Sequence, residues 1–583
     1  MELYPLMLNK MLKQFMNYFT SLAEDLVKKL PVATNKFGME SVKEYYKDLG
    51  VDHKDFKFQS INKEYVNILM QKINESKASG IDNLSAKFLK DGASILSGPI
   101  ADLCNLSIFL SSFPEECKIA KLKLLYKKGL KTDPQNYRPI SLLPLISKII
   151  EKVIHDQTQE YLKINNIIYK YQSGFRSNHS TDICLSYLND KIIQGIDKGE
   201  FTGMVLIDLQ KAFDTIDHNM LLSKMSFMGF SKESISWFRS YLSNRLFSVN
   251  IENEYSSKSK IECGVPQGSI LGPLLFLIYV NDMKQAVECD LQLYADDSCL
   301  VFTSKDVKLI ELTLNKNFNS IIEWFVDNKL SIHLGKDKTK YILFGSKRVI
   351  KRQQKLKIKY GDIEIEQYDS VKYLGCILHN NLSGESMASN ALSKINGRLK
   401  FLYRNQNYLD KFLRRLLSNA IIQPHFDYAC STWFPVLNSK LTKKVQIAQN
   451  KCIRFCLDLD NISHIGSKEF KEINWLPVKE RVHQCINVNI FKYYKNMSPG
   501  YSSEMFTVAD QSHYTRYSSM KLHLPSRNRD IGKQGLSYLG PKIWNSLGSY
   551  IKSCDSVNTF KHRIKEKYFV DIRNKEQDIY FYY

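Results

Sequence analysis

Apolar positions in this chain change their spacing along its length. Up to about residue 110 they recur three and four apart, as in 64–74 and 84–89, the spacing that lines one face of a helix. A basic stretch, 118–131, follows around Leu122, Leu124 and Leu125, with turn signals at Gly129 and Asp133-Pro134. A helix is expected over 146–161. From about Gly203 the pattern shortens. Residues 204–207 are a short apolar run that stops at Asp208, as a buried strand does with a carboxylate at its tip. Segments 291–294 and 298–302 predict two more strands, separated by Ala295, Asp296 and Asp297, and hence a hairpin with acids at its turn. Helical spacing returns at 218–228 and 272–282, so the alternation indicates an α+β or α/β core.

After Gly375 the chain becomes mainly helical and basic. Residues 393–417 set Lys394, Arg398, Lys400, Arg404, Lys411, Arg414 and Arg415 among leucines and aromatics, which predicts a helical subdomain with a cationic surface. The last stretch, roughly 501–583, carries Trp544, Leu547 and Phe560 but no chemistry that can be named. No solenoid repeat and no Pro-rich or Gly/Ser-rich linker divides the chain.

The 583 residues exceed what one compact core usually holds, so two to four domains or subdomains are expected. With 44% apolar residues and 12% aromatics, a mostly disordered chain is excluded. Lysine and arginine total 82 against 60 acids, a net charge of +22, which points to a polyanionic partner such as nucleic acid. A membrane is the competing partner, but the longest strongly apolar run, 270–280, is too short to span one. Residues 1–26 do not form a signal peptide, and the twelve cysteines lack framework spacing, so they are expected to be reduced thiols of an intracellular protein.

Asp208 and the pair Asp296-Asp297 are the sharpest chemical feature. Each follows a short apolar strand, so each carboxylate is expected at a rigid sheet end. Three carboxylates brought together repel and raise one another's pKa unless a cation neutralises them, and hard divalent ions with oxygen ligands, Mg²⁺ above all, do this. Two such ions support phosphoryl transfer from a nucleoside triphosphate to a hydroxyl. An isolated acidic turn is usually only solvated; the neighbouring segments are what this bland reading fails to explain.

Those segments are Val-Leu-Ile-Asp-Leu-Gln-Lys-Ala-Phe-Asp (205–214), Gly-Val-Pro-Gln-Gly-Ser-Ile-Leu-Gly-Pro (264–273) and Tyr-Ala-Asp-Asp (294–297). With Asn-Tyr-Arg-Pro-Ile-Ser-Leu-Leu (136–143) and Gln-Ser-Gly-Phe-Arg (172–176), they resemble, in order and spacing, the reverse transcriptases of non-LTR retrotransposons of the jockey and related clades. The resemblance is continuous over roughly 76–375 and extends more weakly to about Leu547.

The resemblance implies an α+β, right-hand polymerase: fingers and palm over 76–375, a helical thumb-like region over 376–500, a helical N-terminal segment over 1–75, and a C-terminal region, 501–583, of unknown role. It implies an RNA-directed DNA polymerase that extends a DNA primer on an RNA template with deoxynucleoside triphosphates and two Mg²⁺ ions, Mn²⁺ being a substitute. Asp208 and Asp296 correspond to the principal metal ligands, Asp297 to a weaker ligand or orienting residue, and the Leu209 carbonyl to a further oxygen. Phe213 falls at the steric gate, where a ring leaves no room for a 2′-hydroxyl; a ring there also suits core packing. Gln267 corresponds to the glutamine that contacts the nucleotide or template base, in a loop whose glycines admit close approach to a ligand. Lys127, with Lys128 beside it, and Arg138 correspond to the fingers cations that hold the triphosphate. Arg176 belongs to a motif near template and nucleotide, with a salt bridge inside the fingers as the structural alternative. Residues 328–334 with Lys338 resemble the next palm motif, making Lys338 the candidate general acid for pyrophosphate. Residues 371–375, ending in Gly375, resemble the primer-grip hairpin. Basic clusters at 336–340, at 347–359 and in the helices after Ser393 would follow template–primer phosphates.

Other signals are discounted. Cys452 and Cys456, one helical turn apart with Ile453 and Phe455, are expected on a buried helix face rather than in a zinc knuckle with His464 and Cys430. Asp214, Thr215, Asp217 and His218 are taken as structural, with Thr215 and Asp217 placed to cap the helix that follows. Family relatives usually carry an endonuclease before the polymerase; 1–75 shows no such set, so the chain is expected to be the polymerase portion, and no RNase H domain is expected after Gly375. Element RNA and chromosomal DNA would be partners, with action in the nucleus or cytoplasm and no membrane. Two rivals remain: an RNA-dependent RNA polymerase, against which Phe213 and Ala295 speak, and a catalytically silent RNA-binding remnant.

Overall fold

The computed structural model describes residues 3–51, 53–252, 254–350, 355–509 and 520–580. Its strands include β1 (Ile119–Tyr126), β2 (Tyr137–Leu142), β3 (Phe201–Ile207), β4 (Arg245–Ile251), β5 (Glu254–Tyr255), β6 (Ser259–Ile261), β7 (Asp290–Tyr294), β8 (Asp297–Ser304) and β9 (Lys340–Phe344). The chain forms two compact units. The first comprises 1–175, 207–298 and 316–339, and the second 176–206, 299–315 and 340–583.

In the first unit the N-terminal region is helical as the spacing predicts, with helices at Leu3–Val27, Met39–Asp48, Lys63–Gln71, Ala86–Asp91 and Ala93–Phe109. The basic stretch at 118–131 is a strand and its turn: β1 pairs antiparallel with β2 and parallel with β4, which also carries β5 and β6. Leu12 and Phe15 of the first helix pack on Ala120, Leu122, Leu143, Phe247 and Val249, so the helix is fastened to one face of this sheet. Burial of several large side chains of this kind, each stabilising by about 1.5–3 kcal/mol, outweighs the weak intrinsic stability of a lone helix. At the β1–β2 turn Gly129 has φ +95°, and a Cβ there would meet the Asn136 side chain at 2.6 Å.

The helix expected over 218–228 runs His218–Phe227. Asp217 caps it, accepting from Met220 N at 2.9 Å. Thr215 does not cap it; its buried hydroxyl faces the Ala212 carbonyl at 3.5 Å, because Asp217 stands immediately before the first turn. The expected helix at 272–282 is Leu271–Val280, followed by a tighter turn over Asn281–Ala286.

In the second unit β3 is buried along its whole length and pairs antiparallel with β9 on one side, with β8 on the other. Gly203 lies where a Cβ would meet Ile310 and Leu314 at 2.6 Å. The basic stretch 393–417 divides between two helices, Glu385–Arg404 and Lys411–Ile421, because Asp410 caps the second by accepting from Leu413 N at 2.7 Å. Lys394, Arg398, Lys400, Arg404 and Lys411 are exposed as expected. Arg414 is not part of a cationic surface; it is buried and paired with Asp458 at 2.5 Å. Cys452 and Cys456 lie buried on the helix Ser439–Leu457, as their spacing predicts. The twelve cysteines, all among the described residues, form no disulfide. Within the basic run 347–359, residues 347–350 form a short helix and 351–354 lie outside the described residues. No helix among the described residues is long and apolar enough to cross a membrane.

Candidate active site

The chain leaves β3 directly into Asp208, whose backbone remains fixed beyond the strand end. Its N–H donates to Thr339 Oγ1 at 3.2 Å and its carbonyl accepts from His333 N at 2.8 Å. Gln210 N donates to the Ser331 carbonyl at 2.8 Å, so segment 331–333 runs beside 208–210 as an extra ladder. The same segment leads to Lys338, whose Nζ lies 3.0 Å from Asp208 Oδ2.

The acidic turn is held from another direction. Ala295 has φ +56°, a strained conformation for a residue with a Cβ, and the buried Gln172 braces it. Gln172 Oε1 accepts from Ala295 N at 2.9 Å and from Gly174 N at 2.8 Å. A Cβ at Gly174 would lie 2.1 Å from Ala295 N. The Gln-Ser-Gly of 172–174 is thus a fixture that aims Asp296 and Asp297. Burial, with repulsion from Asp296 and Asp208, raises the Asp297 carboxyl to about 6. Asp297 senses the other two carboxylates, and the chemistry of the three suits a hard cation. Among the described residues no three His, Cys, Asp or Glu side chains form a ready-made metal cluster, and Asp208 is paired with Lys338.

The loop 264–270 is clamped by backbone bonds. Gly264 N donates to the Ile216 carbonyl at 2.8 Å, Val265 N to that of Phe213 at 2.9 Å, and Ser141 N to that of Gln267 at 2.7 Å. Gly264 and Gly268, both at positive φ, approach protein backbone: added Cβ atoms would lie 2.7 Å from the Asp214 carbonyl oxygen and 2.5 Å from that of Ser141. The turn reading of these glycines thus has a packing reason of its own, beside the ligand approach expected of them. Glu151, fully buried, accepts from Ile270 N at 2.6 Å and fixes the far end of the loop.

These segments surround one cleft of about 710 Å³, lined by Asp208, Leu209, Phe213, Gln267, Asp296, Lys127, Arg138 and Lys338. Such a volume is ample for a nucleotide-sized ligand, since small-molecule sites run to about 300–1,000 Å³. Lys127, not Lys128, faces it. Asp297 stands next to the lining and is not part of it. Phe213 is half-buried, stacked on Phe276 at 4.5 Å and edge-on to Phe175 at 6.0 Å, so it packs against the core and presents itself to the cleft at once. Arg138 Nε donates to Gln267 Oε1 at 3.1 Å, and Gln267 Nε2 donates to Asp214 Oδ1 at 2.8 Å.

Sequence reasoning missed the inner wall of the cleft. Tyr18, Leu22 and Leu26 come from the first helix and Lys29 from the turn after it, and Lys211 and His333 also line the cleft. Tyr18 is pushed up to about 12 by burial and by the charges of Asp133 and Asp214. Two apolar stripes on the first helix were the available signal: one meets the sheet, and Leu22 and Leu26 face the cleft. Arg176 and Gly375 belong to the second unit. Arg176 is half-buried, and burial lowers its pKa against the opposing pull of Tyr501. Gly375 sits with Leu374 in a two-residue turn, both at positive φ, between antiparallel strands Ser370–Tyr373 and Cys376–His379. Tyr428 Oη donates to the Leu374 carbonyl and braces that turn.

Residues 126–378 match the family model described as reverse transcriptase (RNA-dependent DNA polymerase), a span that includes every candidate site residue named above from Lys127 to Gly375. The chain is 28% identical over 408 residues to the RNA-directed DNA polymerase from mobile element jockey of Drosophila funebris, covering 67% of this chain and 43% of that protein. It is 27% identical over 418 residues to the probable RNA-directed DNA polymerase from transposon BS of Drosophila melanogaster, covering 70% and 45%. The probable RNA-directed DNA polymerase from transposon X-element of the same fly is 27% identical over 362 residues, covering 60% and 39%. The chain spans less than half the length of each of these relatives.

Proposed function

From the reverse transcriptase domain that this chain carries over residues 126–378, we propose that it is an RNA-directed DNA polymerase of a non-LTR retrotransposon, a nucleotidyltransferase that adds deoxynucleotides to a DNA primer on an RNA template. The observation that carries this reading is the single cleft lined by Asp208, Asp296, Lys127, Arg138, Phe213 and Gln267. The fingers comprise the β1–β2–β4 sheet and the helices before it, the palm the strand ends that bear the aspartates, and the thumb the helices of 376–500.

Asp208 and Asp296, with Asp297 and the Leu209 carbonyl, are the residues that would hold Mg²⁺. Divalent ions supply activation of the primer hydroxyl and neutralisation of the phosphates. The chain's own groups do the rest. Lys127 and Arg138 face the anionic triphosphate, the guanidinium as a forked donor. The Phe213 ring, backed by Phe276, cannot yield to a 2′-hydroxyl, so ribonucleotides are excluded by a clash. Lys338, an ammonium beside Asp208, carries a proton within the site for the leaving pyrophosphate. Exposed Lys394, Arg398, Lys400, Arg404 and Lys411 offer contacts to nucleic-acid phosphates, as does the hairpin that turns at Leu374-Gly375 to a primer strand. Arg176 serves template or nucleotide, and element RNA and chromosomal DNA are the partners, in the nucleus.

The test is extension of a DNA primer annealed to RNA, with deoxynucleotides or ribonucleotides supplied separately. Incorporation of deoxynucleotides alone, with ribonucleotides admitted by Phe213→Val, supports the reading. Equal use of both by the parent makes it an RNA polymerase. Primer binding without extension makes it an RNA-binding remnant.

A further inference from the structure

Asp214 belongs to the same segment as Asp208 and Phe213, yet it faces inward. Its carboxyl is buried, Oδ1 accepts from Gln267 Nε2 at 2.8 Å, and Oδ2 is a buried oxygen with no hydrogen-bond partner. Gln267 in turn accepts from Arg138 Nε at 3.1 Å through Oε1. A guanidinium offers donors only, so the Gln267 amide has one orientation that satisfies both neighbours, oxygen toward Arg138 and nitrogen toward Asp214. The backbone cannot relax this arrangement. Gly264 lies against the Asp214 main chain with no room for a Cβ, and Val265 N is bonded to the Phe213 carbonyl at 2.9 Å. A rigid chain of three side chains therefore runs from the floor of the loop to the wall of the cleft.

We infer that Asp214 is a positioning residue of the nucleotide site: it fixes the amide face of Gln267, and through that amide the place of Arg138, without touching substrate itself. The inference rests on the polymerase reading for its consequence, and on the two hydrogen bonds for the contact. Losing the acceptor at 214 frees the Gln267 amide to turn, and Arg138 then loses its anchor over the cleft. The effect falls on nucleotide affinity, because the groups that are misplaced are those facing the triphosphate and base, whereas Asp208 and Asp296 are held by separate fixtures at Thr339, His333 and Gln172. A carboxyl that served only the fold would lower stability and leave the KM for nucleotide unchanged. Asn is the informative replacement: it keeps an acceptor oxygen for Gln267, and exchanging the partnerless Oδ2 for nitrogen breaks no hydrogen bond.

The experiment is a double-mutant cycle over Asp214→Ala and Gln267→Leu, with Asp214→Asn as rescue, read in two ways. In primer extension on RNA at varied deoxynucleotide concentration, Asp214→Ala is expected to raise KM about tenfold, the size of one buried hydrogen bond, with kcat changed far less. Asp214→Asn is expected to stay within about twofold of the parent, and Asp214→Ala to add less than about twofold in the Gln267→Leu background. Independent, multiplying effects, or an Asn variant as damaged as the Ala variant, overturn the proposal. The same cycle is read by thermal melting, which needs no activity. Non-additive shifts in Tm support the contact and additive shifts overturn it. A parent that never extends the primer while the melting cycle shows coupling removes the polymerase reading and leaves the Asp214–Gln267 contact standing.

Discussion

Arg138 stands exposed on the wall of the cleft with its Nε on an amide oxygen, while Arg414 and Arg481 of the second unit are drawn into its helices. Arg481 grips Asp427 with two nitrogens, at 2.9 and 2.8 Å, and Arg414 is buried against Asp458 and the Leu409 carbonyl. The same residue type has opposite uses. In the cleft a cation keeps donors available to a polyanion; in the helices its donors are consumed by a carboxylate and, for Arg414, by backbone carbonyls as well. A net charge of +22 therefore overstates the surface offered to nucleic acid, and local partners decide which cations count.

The largest effect that would break this contrast is on stability. Arg481→Ala leaves Asp427 without its forked donor and is expected to cost about 3 kcal/mol in denaturant unfolding, two charge-assisted hydrogen bonds' worth. An unchanged midpoint would place Arg481 with the cleft cations. Arg138→Ala is expected to do the reverse, with a KM for deoxynucleotide raised about tenfold and unfolding within about 0.5 kcal/mol of the parent. Loss of stability equal to that of Arg481→Ala would erase the distinction.

A smaller effect separates the regions by pH. His483 lies among the second unit's helices, where burial, with Lys479 and Lys575 nearby, lowers it from 6.5 to about 4. The unfolded chain then binds the proton more readily than the folded one, so this contribution to stability is whole above pH 6.5 and is lost as pH falls toward 4. Urea titrations across that range are expected to show the slope, and His483→Gln to flatten it. A slope that survives the substitution assigns it to other groups.

Much of the site was legible because it is written locally. A short apolar run ending at Asp208, two strands parted by Ala295-Asp296-Asp297, and the tight turn at Gly375 each show themselves within a few residues. The rest depends on partners distant in sequence. Nothing near Asp214 announces that it serves Gln267, 53 positions away. The periodicity of the first helix predicts a helix, but not that one stripe would meet Leu122 and Phe247 while Tyr18 and Leu22 face the cleft. The glycines of the 264–268 loop carry a requirement that is likewise distant in sequence. Besides fitting ligand approach, they pack against the backbone of Asp214 and Ser141. Arg414 likewise has the surroundings of a surface cation in sequence, and only its turn toward Asp458 places it inside.

A polymerase site in the cleft bounded by Asp208 and Asp296 needs both carboxylates for extension but not for binding nucleic acid. The chain and Asp296→Ala are to be compared in Mg²⁺-dependent extension of a DNA primer on an RNA template, with matched template–primer binding measured in parallel. Extension by the parent, abolished in Asp296→Ala at undiminished binding, is the expected result. Equal extension by both proteins, or none by either despite binding, would contradict it.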